Sequence, residues 1–460
     1  MTRSGWQGRA MAFPCLLLLG GCASLLEDRG VADATAAASE RLGVEVRRVR
    51  TEADAVEVGA RLKELMAEPL SVEAAVQVAV LNNRGLQAAY DELGLSAAAL
   101  ARAATPPNPG LRYARTERGG RVEVERALTV DVLGLVLLPL AAMIEERHWE
   151  GAKLRAADRV VALALDTRRA WFRAVAAGQA ARYMEEVRAS SAASAELARR
   201  LGQTGAFGRL DQGRHYLFHA ETAARAARAR LAATRARERL LRLLGLWGAG
   251  TEIRLPERLP ELPESLPERP EIEAAAIAGR ADLRIARLEL EGLARAHGLT
   301  QATRFVSILE AGALRTTETG EPVRRGYEIE LSLPIFDGGT TRAAEAENSF
   351  RAAANRLAAR AVEARSEVRE AEQAWRAGHE IAWHHRREIV PALQAISEES
   401  VLRYNGMLAG VFEMLADARE QAEGVVAAIE AERDFWLADT ELQAAMAGTA
   451  AAAPSAGEER

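Results

Sequence analysis

Few side chains in this sequence are spaced for catalysis. His379-Glu380-Ile381-Ala382-Trp383-His384 sets a glutamate beside a histidine, as a zinc peptidase does. The second histidine follows five positions later, however, and only a pair four apart shares one helix face. His215 and His219 are four apart and could share a metal. Catalytic zinc normally takes three protein ligands, and no third lies nearby, so these read as two helix-surface histidines. No glycine-rich phosphate loop and no nucleophile elbow is present. The expectation is a protein without catalytic residues, without a cofactor and without a metal site, and not an enzyme. Glu413 and Asp417, four apart at the start of a helical segment, put two carboxylates on one face.

Cys22 carries a different chemistry. Arg3 and Arg9 precede a short apolar run that ends in Leu16-Leu17-Leu18-Leu19, too short for a permanent membrane span. Leu19-Gly20-Gly21-Cys22 then resembles the lipobox of bacterial lipoproteins, where cleavage before the cysteine leaves a residue that carries acyl chains. Two or more chains make a stable anchor where one is marginal. Residues 1–21 are therefore read as a signal peptide, and Cys15 leaves with it, so no disulfide is expected. Ala23 after the cysteine resembles the sorting signal of outer-membrane lipoproteins. The net charge of −5 is spread along the chain and argues against nucleic acid, which needs a basic face. Aromatic residues make up 5% of the chain and alanine is abundant, which favours long, closely packed helices.

Two pairs of alternating segments interrupt these helices. Val122, Val124, Leu128 and Val130 alternate with Glu123, Glu125, Ala127 and Thr129, with Arg126 breaking the apolar face; Tyr327, Ile329, Leu331, Leu333 and Ile335 alternate with Glu328, Glu330, Ser332 and Pro334. A period of two reads as β-strand. Strands are expected over about 122–131 and 327–336, with weaker partners over 111–116 and 305–314. Gly119-Gly120 and the stretch from Gly320 to Gly326 supply the hairpin turns. Long helical patterns run from about Leu140 to Leu201 and from Thr340 to Tyr404. Sixty helical residues extend about 90 Å. The second carries a seam of Leu357, Ala361, Ala364, Val368, Ala371, Trp375, Gly378 and Ala382, and Pro391 should kink it. Shorter helices flank these. The halves repeat: Leu128-Thr129-Val130 aligns with Leu331-Ser332-Leu333, and Ala170-Trp171 with Ala374-Trp375. The expected division is a tether at 22–69, a first repeat at 70–249, a proline-rich linker at 250–270, a second repeat at 271–448 and a disordered tail at 449–460.

Four strands with one apolar face cannot close a barrel alone, and open edges in a bilayer leave backbone groups unpaired. Three chains pooling their strands would give twelve. Leu331-Ser332-Leu333-Pro334-Ile335-Phe336-Asp337-Gly338-Gly339 resembles the strand-to-helix segment of the TolC family of outer-membrane efflux proteins, with Pro334 ending the ladder and Gly338 and Gly339 permitting the turn. Gly279-Arg280-Ala281-Asp282-Leu283 resembles that family's Arg-Pro-Asp-Leu, with Ala281 in place of proline. Arg403-Tyr404-Asn405-Gly406 resembles its Tyr-x-x-Gly turn, with the glycine one residue early. The resemblance spans about 70–448.

It implies a mainly α chain with a small β part: a long antiparallel helical tunnel and four membrane strands per chain, assembled as a homotrimeric α/β-barrel. It also implies a periplasmic adaptor, an inner-membrane pump reached through that adaptor, and an outer-membrane location held by lipid. The helix-to-helix turns near Leu201–Gly208 and Tyr404–Gly410 would form a periplasmic mouth with acidic residues facing the tunnel. Glu413 matches the family in its spacing from Tyr404 and Asp417 through Asp417-Ala418-Arg419; both stay open as gate candidates, beside the reading of a solvated carboxylate pair. A periplasmic adaptor would show one helical hairpin among many short strands, and a coiled-coil scaffold would need no amphipathic strands. The cargo, whether metal ion, drug or polypeptide, is not legible in the sequence.

Overall fold

The computed structural model describes residues 30–248 and 252–449. Cys22 and the signal segment lie outside the described residues, as do 450–460. The elements run α1 (Val31–Leu42), α2 (Glu52–Leu65), α3 (Val72–Asn82), α4 (Arg84–Ala103), β1 (Gly110–Arg118), β2 (Arg121–Asp131), α5 (Val132–Gln203), α6 (Arg209–Leu244), α7 (Ile272–Gly279), α8 (Ala281–Ala302), β3 (Ile308–Glu318), β4 (Arg324–Ser332), α9 (Thr340–His384), α10 (Val390–Asn405) and α11 (Val411–Ala447). The chain is mainly α with one small antiparallel sheet. Two helical hairpins, α5–α6 and α9–α11, replace the single hairpin among many strands that an adaptor would show. The segment read as a tether carries α1 and α2, and Val58 and Leu62 of α2 are buried. The Gln77 and Gln87 side chains hold the irregular backbone that follows α1, at Glu45 and Val49.

Two compact units divide the chain, and each draws on both sequence repeats. One comprises 30–36, Ala88–Ala157 and Leu283–Arg360; the other Ala37–Gln87, Asp158–Asp282 and 361–449. The first holds the sheet, in the order β1-β2-β3-β4, antiparallel throughout. β3 pairs with β2 over Glu123–Asp131 and so runs on to Glu318, beyond the apolar alternation that marked it in the sequence. β4 ends at Ser332, ahead of Pro334, which has no N–H to give a ladder.

The second unit is held by helix seams. Val368, Trp375 and Ala382 of α9 are buried against α11, and a Cβ on Gly378 would lie 3.4 Å from Phe435 Cα. Small residues at these positions let the two backbones approach. Ahead of Pro391 the helix widens into a π-turn over His385–Ile389, where Val390 N–H reaches back to His385 O. Proline removes one donor and clashes with the preceding turn, and a wider turn accommodates both. The proline-rich segment is a strap rather than a free linker. Leu259 and Leu262 are buried, each contributing about 1.5–3 kcal/mol. Its backbone is tied by Gln179 to Leu259 N–H, by Trp436 Nε1–H to Pro260 O and by His379 to Pro263 O.

Each repeat breaks its pre-strand helix at one residue and uses that break to hold the end of a returning helix. In the first, Asn82 donates to the Leu244 and Gly245 carbonyls and Asn83 to that of Leu243, at the end of α6. In the second, Arg280 does this work at the end of α11. It is 1% exposed, donates to Ala445 O at 2.8 Å, and pairs with Asp282 at 2.8 Å and Glu367 at 2.6 Å. Replacing Arg280 by methionine leaves those acceptors facing an apolar group. Arg280→Met should cost about 3–5 kcal/mol, read as a lowered unfolding midpoint in denaturant; an unchanged midpoint would show the network to be dispensable.

Candidate functional site

The sheet has two unlike faces, and the register assigns them. On one, Leu111, Leu128, Ala313 and Tyr327 form a cross-strand row; Val130, Ala311 and Ile329 form the next, then Leu309 and Leu331. The other carries Glu123, Glu125, Asp131, Glu310, Glu318, Glu328 and Glu330, with Arg112 and Arg324 among them. Arg112 pairs with Glu328 at 3.7 Å, and Arg324 with Glu318 at 3.1 Å and Glu123 at 3.5 Å. Among the described residues no layer covers the apolar face: Leu111, Tyr327 and Ile329 are exposed, Tyr327 to 84%. In the order β1-β2-β3-β4 the outer edges of β1 and β4 have no partner strand among the described residues. No helix among the described residues is long and apolar enough to cross a membrane.

The strand-to-helix turn is built as tightly as its glycines imply. Gly338 N–H returns to Pro334 O at 2.8 Å, and Asp337 accepts from Gly339 N–H at 2.9 Å and from the Thr341 hydroxyl. These bonds, that from Thr341 foremost, hold the Asp337 carboxyl below its usual range. Gly338 and Gly339 both have positive φ, +59° and +70°. A Cβ on Gly339 would meet Arg304 O at 2.1 Å, whereas one on Gly338 would meet nothing within 4 Å.

The two helix-to-helix turns expose apolar side chains: Leu210, Met407, Leu408 and Phe412, with Met407 at 93%. The displaced glycine of the second turn has a visible effect. Gly406 takes an ordinary φ of −81°, while Met407, where a Tyr-x-x-Gly turn would put glycine, is left-handed at +61°. Behind this turn Val411 and Leu415 pack on Phe218 of α6. Glu413 and Asp417 lie on the opposite side of α11 from those two residues; Glu413 is exposed and Asp417 half-buried. Two ion pairs tie α6 to α11 just beyond: Glu221 to Arg419 at 2.7 Å and Arg225 to Glu423 at 2.5 Å. Sequence reasoning missed this clasp, although its charges sit four apart and in opposite order on the two helices.

Four of the histidines meet other partners. His379 binds Pro263 O and stacks on Trp383, and His384 pairs with Glu388 at 3.1 Å. His215 is buried rather than on the surface, because it faces Ser194 of α5 at 2.8 Å. Burial lowers its pKa. His219 meets Ser191 in the same way at 3.1 Å. No cluster of three metal-ligating side chains occurs among the described residues.

No protein-family profile and no curated protein sequence matches the chain. Solved structures do. It is similar to the CmeC outer membrane channel of Campylobacter jejuni, with a TM-score of 0.71 and 15% identity over 82% of this chain and 86% of that one. It is similar to the outer-membrane channel OprN, with a TM-score of 0.69 and 19% identity over 91% and 96% of the two chains. The open state of the MtrE outer membrane channel of Neisseria gonorrhoeae gives 0.65 and 17% over 84% and 91%. The chain thus has the fold of these outer-membrane channels.

The two glycines of the turn should respond differently to a methyl group. Gly338→Ala adds only the left-handed backbone cost, about 1–2 kcal/mol. Gly339→Ala adds the collision with Arg304 O and should lower the yield of folded protein far more. Equal yields would mean that the turn opens freely.

Proposed function

We propose that the protein is the passive outer-membrane channel of an efflux or export system, working as a homotrimer. The observation that carries this reading is the uncovered sheet. It has one apolar face, one charged face and two open edges, and in hydrocarbon each unpaired backbone group costs several kcal/mol. Four strands are too few to close a membrane barrel; three copies joined edge to edge supply twelve. Joined so, the apolar faces meet lipid and the charged faces line a lumen. The fold shared with outer-membrane channels supports the same reading.

The chain supplies no chemistry in this scheme. An inner-membrane pump, reached through a periplasmic adaptor, supplies the energy, and the exposed apolar residues at the helix-to-helix turns suit an adaptor's docking. Acyl chains on Cys22 add an anchor to the outer membrane. Native mass spectrometry of protein extracted in mild detergent tests assembly and anchor together. The expected species is a trimer of acylated chains beginning at Cys22. A stable monomer or dimer as the working unit contradicts the channel; a different first residue contradicts the anchor alone.

Glu413 and Asp417 are the gate candidates. Their side of α11 is not occupied by the α6 contact, and three copies would set acidic rings at the mouth, which attract cations. Glu413→Ala or Asp417→Ala should lower cation preference in planar-bilayer recordings. If both variants keep wild-type conductance and selectivity, neither residue lines the constriction.

A further inference from the structure

Arg126 interrupts the apolar alternation of β2, and the register extends that interruption across the sheet. Arg126 lies opposite Arg315, and Arg315 opposite Arg325, on the face that carries Leu128 and Tyr327. Tyr113 completes the row on β1. Neighbouring strands are about 5 Å apart, and like charges directly opposite destabilise a sheet. The other face answers its arginines with carboxylates: Arg112 with Glu328, Arg324 with Glu123 and Glu318. Arg126, Arg315 and Arg325 are exposed, and none makes an ion pair among the described residues. The one contact of the row is Arg126 over the Tyr113 ring, at 5.9 Å.

The position of the row is as telling as its charge. On its helix side lie only apolar rows; on its hairpin side the face turns mixed, with Arg115, Glu117 and Thr317. From Arg325 to Leu333 is eight residues, about 26 Å along an extended strand. At a tilt of about 40° this is about 20 Å along a barrel axis, close to the apolar band of about 25 Å in membrane barrels. The arginines therefore mark the hairpin-side rim of that band, where hydrocarbon gives way to headgroups.

We propose that Arg126, Arg315 and Arg325 form a binding row for the phosphates of a membrane lipid whose headgroup carries more than one phosphate. This rests on the channel reading. A guanidinium matches a phosphate through two parallel N–H···O bonds. A single phosphodiester offers one negative charge to three cations, so a bisphosphorylated headgroup is the better complement. The phosphates relieve the repulsion that the register imposes, and the apolar rows below receive the acyl chains.

The test titrates the full-length protein in mild detergent by native mass spectrometry. The probes are a bisphosphorylated glycolipid (lipid A), phosphatidylglycerol and inorganic phosphate. Wild type should retain the glycolipid at least about tenfold better than phosphatidylglycerol and should not retain inorganic phosphate, since three charge-assisted contacts act together. The triple variant Arg126→Gln, Arg315→Gln, Arg325→Gln should lose at least about tenfold in glycolipid retention, while Arg112→Gln, on the other face, should lose none. Equal retention by wild type and triple variant overturns the proposal, as does an equal loss in Arg112→Gln or equal binding of inorganic phosphate. Should the triple variant fail to assemble, Arg325→Gln at the start of β4 decides, with an expected loss of about fivefold against none. Flotation of the wild type with lipid vesicles separates the two readings. Protein that does not float fails the channel and this row with it; protein that floats, but whose triple variant keeps the glycolipid, fails the row alone.

Discussion

Backbone groups at the edge of a β-sheet must be paired, and here two edges are left over. Among the described residues, β1 and β4 each present a row of N–H and C=O groups outward, on a sheet that no other layer covers. In water such edges invite aggregation; in hydrocarbon they are intolerable. In the proposed channel the same sheet, completed by copies of itself, would become a closed wall with nothing unpaired. On that reading the amphipathic strands, the hairpins and the tight exit past Gly339 serve a surface that assembly would finish.

The helical part solves a different problem with different means. Alanine and glycine let its helices pack closely but bury little area each. Buried charge and side-chain-to-backbone bonds take over where larger residues would otherwise fix the helix ends. Arg280 bridges Ala445 O, Asp282 and Glu367 at one helix end, and Asn82 and Asn83 hold the other. The strap adds leucines to the helix surfaces and closes its own backbone on Gln179 and Trp436.

Periodicity made the strands, the long helices and the internal repeat legible, because those patterns are local. Pairing across the repeat was not. β2 meets β3 some 190 residues later, so nothing near Arg126 announced Arg315 or Arg325. The proline-rich linker looked like a spacer because proline excludes helix, yet its Leu259 and Leu262 are buried. His215 looked like a surface residue because its partner, Ser194, lies on the preceding helix. The early glycine of the Tyr404 turn was visible, but not that Met407 would take up the left-handed conformation in its place. Of the candidate site, the strand-to-helix turn could be read from residue types alone. The clasp between Glu221, Arg225, Arg419 and Glu423 could not, since each charge looked like an ordinary solvated helix residue.

The β2–β3 register also sets an order of events at synthesis. Glu123 is made 195 residues before its partner Glu318. At about 5–20 residues per second, β2 waits on the order of 10–40 s for β3. Throughout that interval the hairpin β1–β2 has two open edges and an apolar face. Until β3 arrives, that hairpin is the part of the sheet most open to pairing with another chain.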